Sequence, residues 1–373
     1  MDFTASSIST GMQCPKLYKY KYVDGYRGKA TGPMKIGTLT HKGLEEYWVG
    51  KSLDEALEAM RIMSEGSEWD GQEDDWWKSD DGQIAYARCC AYVRGYYAKY
   101  KDRDLLEDLL WDFDELPVTI FVEKEFQFKL NGVNYKGKMD VLIINHERNE
   151  ATVIEHKTTS SAVDMGGSYF RRLPLDIQLT IYRQAALEHL KERAGAEWDP
   201  PLPRVVYDVI QTSKSVPRQK TKEEGGHPVR KRKDETLEEV DARKQANLET
   251  LGEFSERIAK EYGADEDRPS RYVRHEPMCT KAQHVQRLLE LEEYASLLEN
   301  KGFLEIRNST SCGNYGGCAF LDVCLGVATL DGSLHLEKRE ALHPELEGKK
   351  PKQVSYIRHI CHCQKELSNV IRV

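Results

Sequence analysis

Gly137-Lys138-Met139-Asp140-Val141-Leu142-Ile143-Ile144-Asn145, then His146-Glu147-Arg148-Asn149, then Glu150-Ala151-Thr152-Val153-Ile154-Glu155-His156-Lys157: this stretch decides how the chain folds. Two apolar runs of strand length flank a polar turn, the pattern of an antiparallel hairpin. With residues 146–149 as a four-residue turn, Asn145 faces Glu150, and counting outward Asp140 faces Glu155. Facing residues on antiparallel strands have Cβ atoms ~4.5–5.5 Å apart. Strand periodicity is two, so Glu155 and Lys157 share a face while His156 points away. Two carboxylates facing each other in an apolar sheet repel, at a cost that a proton or a cation between them relieves.

The surrounding chain extends this hairpin into a sheet. Val118 to Leu130 alternates as a strand, Asn131-Gly132 is a tight-hairpin signal, and Val133 to Ile144 and Ala151 to Lys157 are the next two strands. Val205 to Gln211 is a further short apolar strand. Helical spacing appears at 36–48, 52–63, 83–102, 175–190, about 236–262 and 280–300, with an acidic, glycine-punctuated loop at 64–83. The expectation is an α/β fold: a mixed central sheet flanked by helices, with a helical insertion at about 42–115.

Bulk properties narrow the function. The 373 residues suffice for one large domain with insertions or two modest ones. With 39% hydrophobic and 31% charged residues, the chain reads as soluble and globular. Its formal net charge of -8 excludes a polycation, so any nucleic-acid contact must come from local basic patches. No basic-then-apolar leader follows Met1-Asp2, and no apolar run approaches the ~20 residues that span a bilayer. A cytoplasmic protein without membrane contact is therefore expected. Its nine cysteines then read as free or metal-bound thiols, not as disulfides. No phosphate-cradling G-x-x-x-x-G-K-[ST] loop is present, hence no visible NTPase motor.

The carboxylate pair has a chemical use. A hard divalent ion such as Mg²⁺ takes oxygen ligands, often one or two carboxylates with waters and substrate phosphate. Lys157 would add positive charge beside a pentavalent phosphate. The competing reading is a Glu155–Lys157 ion pair on an edge strand with Asp140 in a turn. Gly37-Thr38-Leu39-Thr40-His41 places a histidine one helical turn after a glycine, as a third metal ligand or a plain core histidine. Gln178-Leu179-Thr180-Ile181-Tyr182 puts Gln and Tyr on one helix face, to position a phosphate or simply to pack on the sheet.

Taken in order, Gly37…His41, Gly137…Asp140, Glu155…Lys157 and Gln178…Tyr182 resemble the G-x-x-x-H, G-x-x-D, E-x-K and Q-x-x-x-Y series of RecB-like nucleases within the PD-(D/E)XK superfamily. The resemblance covers roughly residues 5–330. It implies a restriction-endonuclease-like core, with His41, Asp140 and Glu155 as Mg²⁺ or Mn²⁺ ligands and the His156 carbonyl oxygen as a further one. It makes Lys157 the catalytic lysine and sets Gln178 and Tyr182 at the DNA strand. Glu123 stands before the hairpin, where relatives often carry an acid.

Cys14, in a Cys-Pro dipeptide, and Cys312, Cys318 and Cys324 are four thiols suited to a [4Fe–4S] cluster or a structural Zn²⁺. Spacing alone does not choose between these and free thiols. One cysteine before the nuclease core and three after it resemble the iron–sulfur subset of RecB-like nucleases, the AddB-type and CRISPR-associated adaptation nucleases. The resemblance implies a [4Fe–4S] clamp joining the two chain ends, although those relatives often show two residues in the first gap where this chain has five. Cys361-His362-Cys363 is a rival ligand group, and Cys89, Cys90 and Cys279 read as packing residues.

Two segments are candidates for DNA contact. Lys16, Lys19, Lys21, Arg27 and Lys29 interleave with Tyr18, Tyr20, Tyr22 and Tyr26, which suits single strands if the rings are exposed and a helix packed on the core if they are not. Residues 214–233 hold eight basic residues with Gly225-Gly226 and Pro228, a basic loop or a solvated linker. The expected organisation is a nuclease domain at 1–335 and a C-terminal extension at 336–373. The expected activity is metal-dependent DNA hydrolysis, exonucleolytic on ends or single strands, in a prokaryotic or phage replication, recombination or repair setting beside a separate helicase or recombinase. The alternatives are a catalytically silent DNA-binding scaffold and an RNA-directed nuclease.

Overall fold

The chain begins with β1 (Asp2–Phe3), α1 (Ala5–Gln13), α2 (Pro15–Tyr18), a π-helical turn at Lys19–Val23 and β2 (Tyr26–Gly28). Then come α3 (Gly32–Trp48), α4 (Leu53–Glu65), the short hairpin β3 (Glu68–Trp69) and β4 (Gln72–Glu73), and α5 (Asp80–Tyr100). The sheet strands β5 (Pro117–Leu130), β6 (Val133–Asn145) and β7 (Glu150–Thr159) follow, then α6 (Ser168–Arg172), α7 (Ile177–Ala194) and β8 (Arg204–Gln211). The remainder comprises α8 (Leu237–Ala246), α9 (Leu251–Gly263), β9 (Tyr272–His275), α10 (Lys281–Glu299), α11 (Leu321–Leu325), β10 (Leu336–Lys338) and β11 (Lys352–Ile357). This is a computed structural model, and it describes residues 2–66, 68–69, 72–73, 75–100, 117–164, 166–194, 199–227, 229, 235–263, 270–314, 317–339, 346 and 352–357. Cys361, His362 and Cys363, residues 101–115 of the expected insertion, and Pro228 and residues 230–233 of the basic loop lie outside the described residues.

Local chemistry sets the element ends. Asn131 and Gly132 both take positive φ, 45° and 92°, as a two-residue turn matched to strand twist requires, and Leu130 pairs with Val133 across it. The next turn is closed by Asn145, whose side-chain oxygen accepts the N–H groups of Glu147 and Arg148, each at 3.1 Å. Capping boxes start α4 at Ser52 with Glu55, α8 at Thr236 with Glu239, and α10 at Thr280 with Gln283. The single helix expected over 236–262 is two helices. Asn247 ends α8, and Thr250 accepts the Glu253 N–H at 3.2 Å to start α9.

The sheet runs β11-β5-β6-β7-β8-β9, with β1 added beside β6. Only β7–β8 and β1–β6 are parallel among the described pairs. Alternate residues of each central strand enter two separate cores. Leu142, Ile144, Val153, Val205, Tyr207 and Val209 pack with α7, α10 and α1. Val141, Ile143, Ile154, Val206 and Ile210 pack with α3, α5 and α9. The result is the expected α/β arrangement of a mixed sheet between helical layers. The segment read as a C-terminal extension contributes β10, which pairs with β2, and β11, which pairs with β5 at the sheet edge. Among the described residues, no helix is long and apolar enough to cross a membrane.

Candidate active site

The hairpin register puts the two carboxylates at one level of the sheet. Asn145 faces Glu150, and the β6–β7 ladder runs outward to Val141 opposite Ile154. Past that rung a side chain takes over: Asp140 Oδ2 accepts the His156 N–H at 2.8 Å. The β5–β6 ladder is broken at the same level, between the pairs Val122–Val141 and Lys124–Met139. Glu123, which stands in that gap, has φ 55°, uncommon for a residue with a side chain. It forms an ion pair with Lys138.

Both motif glycines make room. A Cβ on Gly137 would lie 2.6 Å from Phe126 Cζ, and Phe126 packs edge-on against Tyr182 with ring centroids 5.7 Å apart. A Cβ on Gly37 would lie 3.3 Å from Thr158 Oγ1, so α3 sits close against β7 there. One turn later α3 delivers His41, whose Nδ1 is 3.8 Å from Asp140 Oδ2.

A hydrogen-bond chain holds the lysine. Lys157 Nζ donates to Glu155 Oε1 at 2.7 Å and to Gln178 Oε1 at 2.7 Å. Gln178 Nε2 donates to Glu155 Oε1 and to the Tyr182 hydroxyl, each at 2.8 Å. The Tyr182 hydroxyl in turn donates to the Lys138 carbonyl at 2.8 Å. Asp176 caps α7 by accepting the Gln178 N–H at 3.0 Å, and its other oxygen accepts the Tyr207 hydroxyl at 2.8 Å. Tyr207 stands opposite Glu155 on β8. Neither Asp176 nor Tyr207 carries a motif signal. The one local hint is that Asp is a favoured residue just before a helix.

The electrostatics are those of two carboxylates that crowd each other. Burial, then the charge of Glu123, pushes Asp140 up to about 7. Burial, then the charge of Asp140, pushes Glu155 up to about 7 as well. Glu155 Oε2 is buried without a hydrogen-bond partner. Burial opposes the Lys157 ammonium, but the charge and hydrogen bond of Glu155 outweigh it and raise its pKa. Burial lowers His41 and favours the neutral imidazole, the form that ligates metals. The donor set of one buried and one half-buried carboxylate, with an unsatisfied oxygen on Glu155, fits a hard divalent cation, although among the described residues no group of three or more His, Cys, Asp or Glu side chains is arranged to hold a metal ion.

Behind the sheet, the His156 ring lies among Trp48, Tyr96 and His41, with centroids 6.2, 6.3 and 6.0 Å away. Its Nδ1 is 3.5 Å from Asp208 Oδ2, the oxygen that also accepts from the Tyr96 hydroxyl and lies 3.5 Å from Arg274 Nε. Arg274 stacks on Tyr100 at 4.0 Å. The side chain of His156 therefore points away from the carboxylates, and its backbone faces Asp140.

A profile of the PD-(D/E)XK nuclease superfamily matches residues 2–325. This chain belongs to that superfamily. The matched span holds β5 to β9 and the whole Asp140–Glu155–Lys157 site. No curated protein gives a significant match. Among solved structures, a "Putative exonuclease" from Eubacterium rectale at 2.19 Å is 12% identical, covering 70% of this chain and 82% of that one, with a TM-score of 0.30. So loose a likeness carries no argument.

The other sequence-read features of this nuclease fall out unevenly. Tyr18, Tyr20, Tyr22 and Tyr26 are all buried, so of the two readings of this segment the core-packed one holds. Tyr20 stacks on Phe320 at 5.4 Å in the small core beside Cys318 and Cys324, and Tyr18 packs on Tyr22 at 5.4 Å in the core of the main sheet. Lys16 and Lys19 are both spent on Glu305. In the basic loop, Arg218 pairs with Glu224 at 2.8 Å and Lys220 with Glu253 at 2.7 Å. Tyr182 is 6% exposed, and its hydroxyl is committed to Gln178 and the Lys138 carbonyl.

The four expected cluster cysteines share one neighbourhood. Cys14 Sγ accepts the Asn308 N–H at 3.5 Å, and the Cys318 N–H donates to the Cys312 carbonyl at 2.8 Å. Burial pushes the Cys318 thiol up against the pull of the Phe320 N–H, and Cys324, Cys312 and Cys14 add to the rise. Cys14, Cys312, Cys318 and Cys324 are all free of disulfides.

Proposed function

We propose that this nuclease is a RecB-like, Mg²⁺- or Mn²⁺-dependent deoxyribonuclease that acts on DNA ends or single strands. One observation carries the reading: the buried carboxylate of Glu155 and the half-buried one of Asp140 meet at one level of the sheet, with Lys157 hydrogen-bonded to Glu155. Asp140 and Glu155 would hold the cation, with His41 beside them. The His156 carbonyl would join, since its N–H already points at Asp140 and a strand residue's N–H and C=O point the same way. The cation would activate water and stabilise phosphoryl oxygens.

The chain's own groups supply the rest. Lys157 places a fixed positive charge where the phosphate gains negative charge. Gln178 orients that ammonium by accepting a hydrogen bond from it, and Tyr182 and Asp176 fix Gln178. The buried surroundings strengthen each of these interactions.

We further propose that Cys14, Cys312, Cys318 and Cys324 hold a [4Fe–4S] cluster, with structural Zn²⁺ as the alternative, and that it staples the two ends of the matched region. Their shared neighbourhood supports this reading. A prokaryotic or phage replication, recombination or repair role beside a separate helicase or recombinase follows from the family resemblance alone. A silent scaffold is the weaker alternative, because His41, Asp140, Glu155, Lys157 and Gln178 are all present and gathered.

The test is a cleavage assay on 5′- and 3′-labelled single and double strands of DNA, and on matching RNA, with Mg²⁺, Mn²⁺ or EDTA. Cutting that persists in EDTA, or full activity in Glu155→Ala, would sink the mechanism. Preferred cutting of RNA would move the substrate to the alternative.

A further inference from the structure

The segment between β7 and α7 has two buried aromatic residues followed by two exposed cations. Tyr169 and Phe170 are buried, while Arg171 and Arg172 of the same short helix are exposed. Among the described residues neither arginine has a carboxylate partner. This sets them apart from Arg218 and Lys220 of the basic loop, whose charges are already neutralised.

Arg172 is linked to the candidate catalytic lysine through Tyr169. The Arg172 guanidinium lies over the Tyr169 ring, 5.2 Å from its centroid. The Tyr169 hydroxyl is pushed up by burial and feels the opposing charges of Lys157 and Arg172, and those of Asp176 and Glu155. Tyr169 therefore links the surface arginine to the Lys157 side of the site.

The segment is also held in place. Phe170 packs against His275 with ring centroids 4.8 Å apart. Arg287 of α10 donates to the Pro174 carbonyl. The Asp176 N–H donates to the Leu173 carbonyl at 2.9 Å, and Asp176 is tied to Tyr207. On the outer side, Leu175 is 77% exposed, an apolar contact beside the two charges. Cations for phosphates next to an apolar surface for bases or sugars suit a strand with unpaired bases.

We propose that Arg171 and Arg172 bind backbone phosphates of a single DNA strand on the Lys157 side of the site. The proposal rests on the nuclease reading and names how that site takes its substrate. In a chain of net charge -8, two arginines without a carboxylate partner among the described residues, in the segment that leads from β7 to α7, supply the local attraction that the whole molecule lacks.

The experiment measures binding of a fluorescent single strand to the full chain in EDTA, where no cation-dependent cutting occurs, across a range of KCl concentrations. The log of the association constant should fall linearly with log salt. The double variant Arg171→Ala/Arg172→Ala should flatten that slope by about 1.4, roughly 0.7 for each lost phosphate contact on a single strand. Arg171→Lys/Arg172→Lys should restore the slope, and all three proteins should melt alike because both side chains are exposed. An unchanged slope in the alanine variant overturns the proposal. An equal flattening on a blunt duplex of the same sequence overturns its single-strand part. Arginine-dependent binding with no cleavage under any divalent cation would leave this inference standing and remove the nuclease reading. Cleavage with an arginine-independent slope would do the reverse.

Discussion

The Asp140 carboxylate accepts the main-chain N–H of His156 at 2.8 Å, beyond the last rung of the β6–β7 ladder. A candidate metal ligand thus doubles as a strand-pairing group, and its two jobs can be separated. Asn at 140 keeps an oxygen for the N–H but removes the charge. The folded-state pKa of Asp140 is raised, so its contribution to stability is present below the unfolded value and lost as pH rises through about 7. In EDTA at pH 8, Asp140→Asn should therefore melt higher than the parent, since it carries no charge for burial to oppose. Mn²⁺ should raise the parent's melting temperature and leave the variant's unmoved. A parent that melts as high as the variant in EDTA would show that the carboxylate pair carries no such cost.

Tyr182→Phe tests the lysine's support. It removes the hydroxyl that links Gln178 to the Lys138 carbonyl, a loss of about 1 kcal/mol. Cleavage should slow roughly five- to tenfold, with unchanged Mn²⁺ affinity by calorimetry. A variant of parental rate would mean that Gln178 needs no such anchor.

His284 gives the protein an acid-sensitive point away from the site. It is 3% exposed, its Nε2 lies 3.1 Å from Gln184 Oε1, and its Nδ1 has no partner. Burial, then the charges of Arg183 and Arg287, lowers its pKa to about 4. A depressed folded pKa contributes stability above the unfolded value that is lost as pH falls. The window here runs from the ordinary 6.5 down to about 4. His284→Gln should show a shallower drop in melting temperature over that window. Parallel curves for the two proteins would count against the assignment.

The cysteine centre can be read directly. Protein prepared without oxygen should be brown and contain iron, and Cys318→Ser should lose colour and iron together and melt lower. A colourless parent with stoichiometric zinc would replace the cluster with the alternative metal. A parent with neither metal would leave four free thiols.

The N- and C-terminal surroundings of the central hairpin show where local pattern stops. The turn at 146–149, the Asn131-Gly132 turn and the alternation along β5 to β7 depend on neighbours a few residues apart, so they were legible. The short strands β9, β10 and β11 were not, because four residues such as Tyr272–His275 become a strand only when β8 offers its edge. The helix over 236–262 was misread because apolar spacing continues across the break that Asn247 and Thr250 impose.

At the candidate site, the residue types and their order by themselves picked out the groups that the fold gathers: two acids and a lysine at strand periodicity, a histidine one turn past a glycine, and a Gln–Tyr helix pair. Tertiary structure decided which of them meet solvent or substrate. It buried the four N-terminal tyrosines, neutralised Arg218 and Lys220, withdrew Tyr182 behind Gln178 and left Arg171 and Arg172 bare. Burial and charge pairing depend on contacts such as Arg287 with Pro174, 113 residues apart in the chain, and no local pattern encodes a distance that only the packed fold creates.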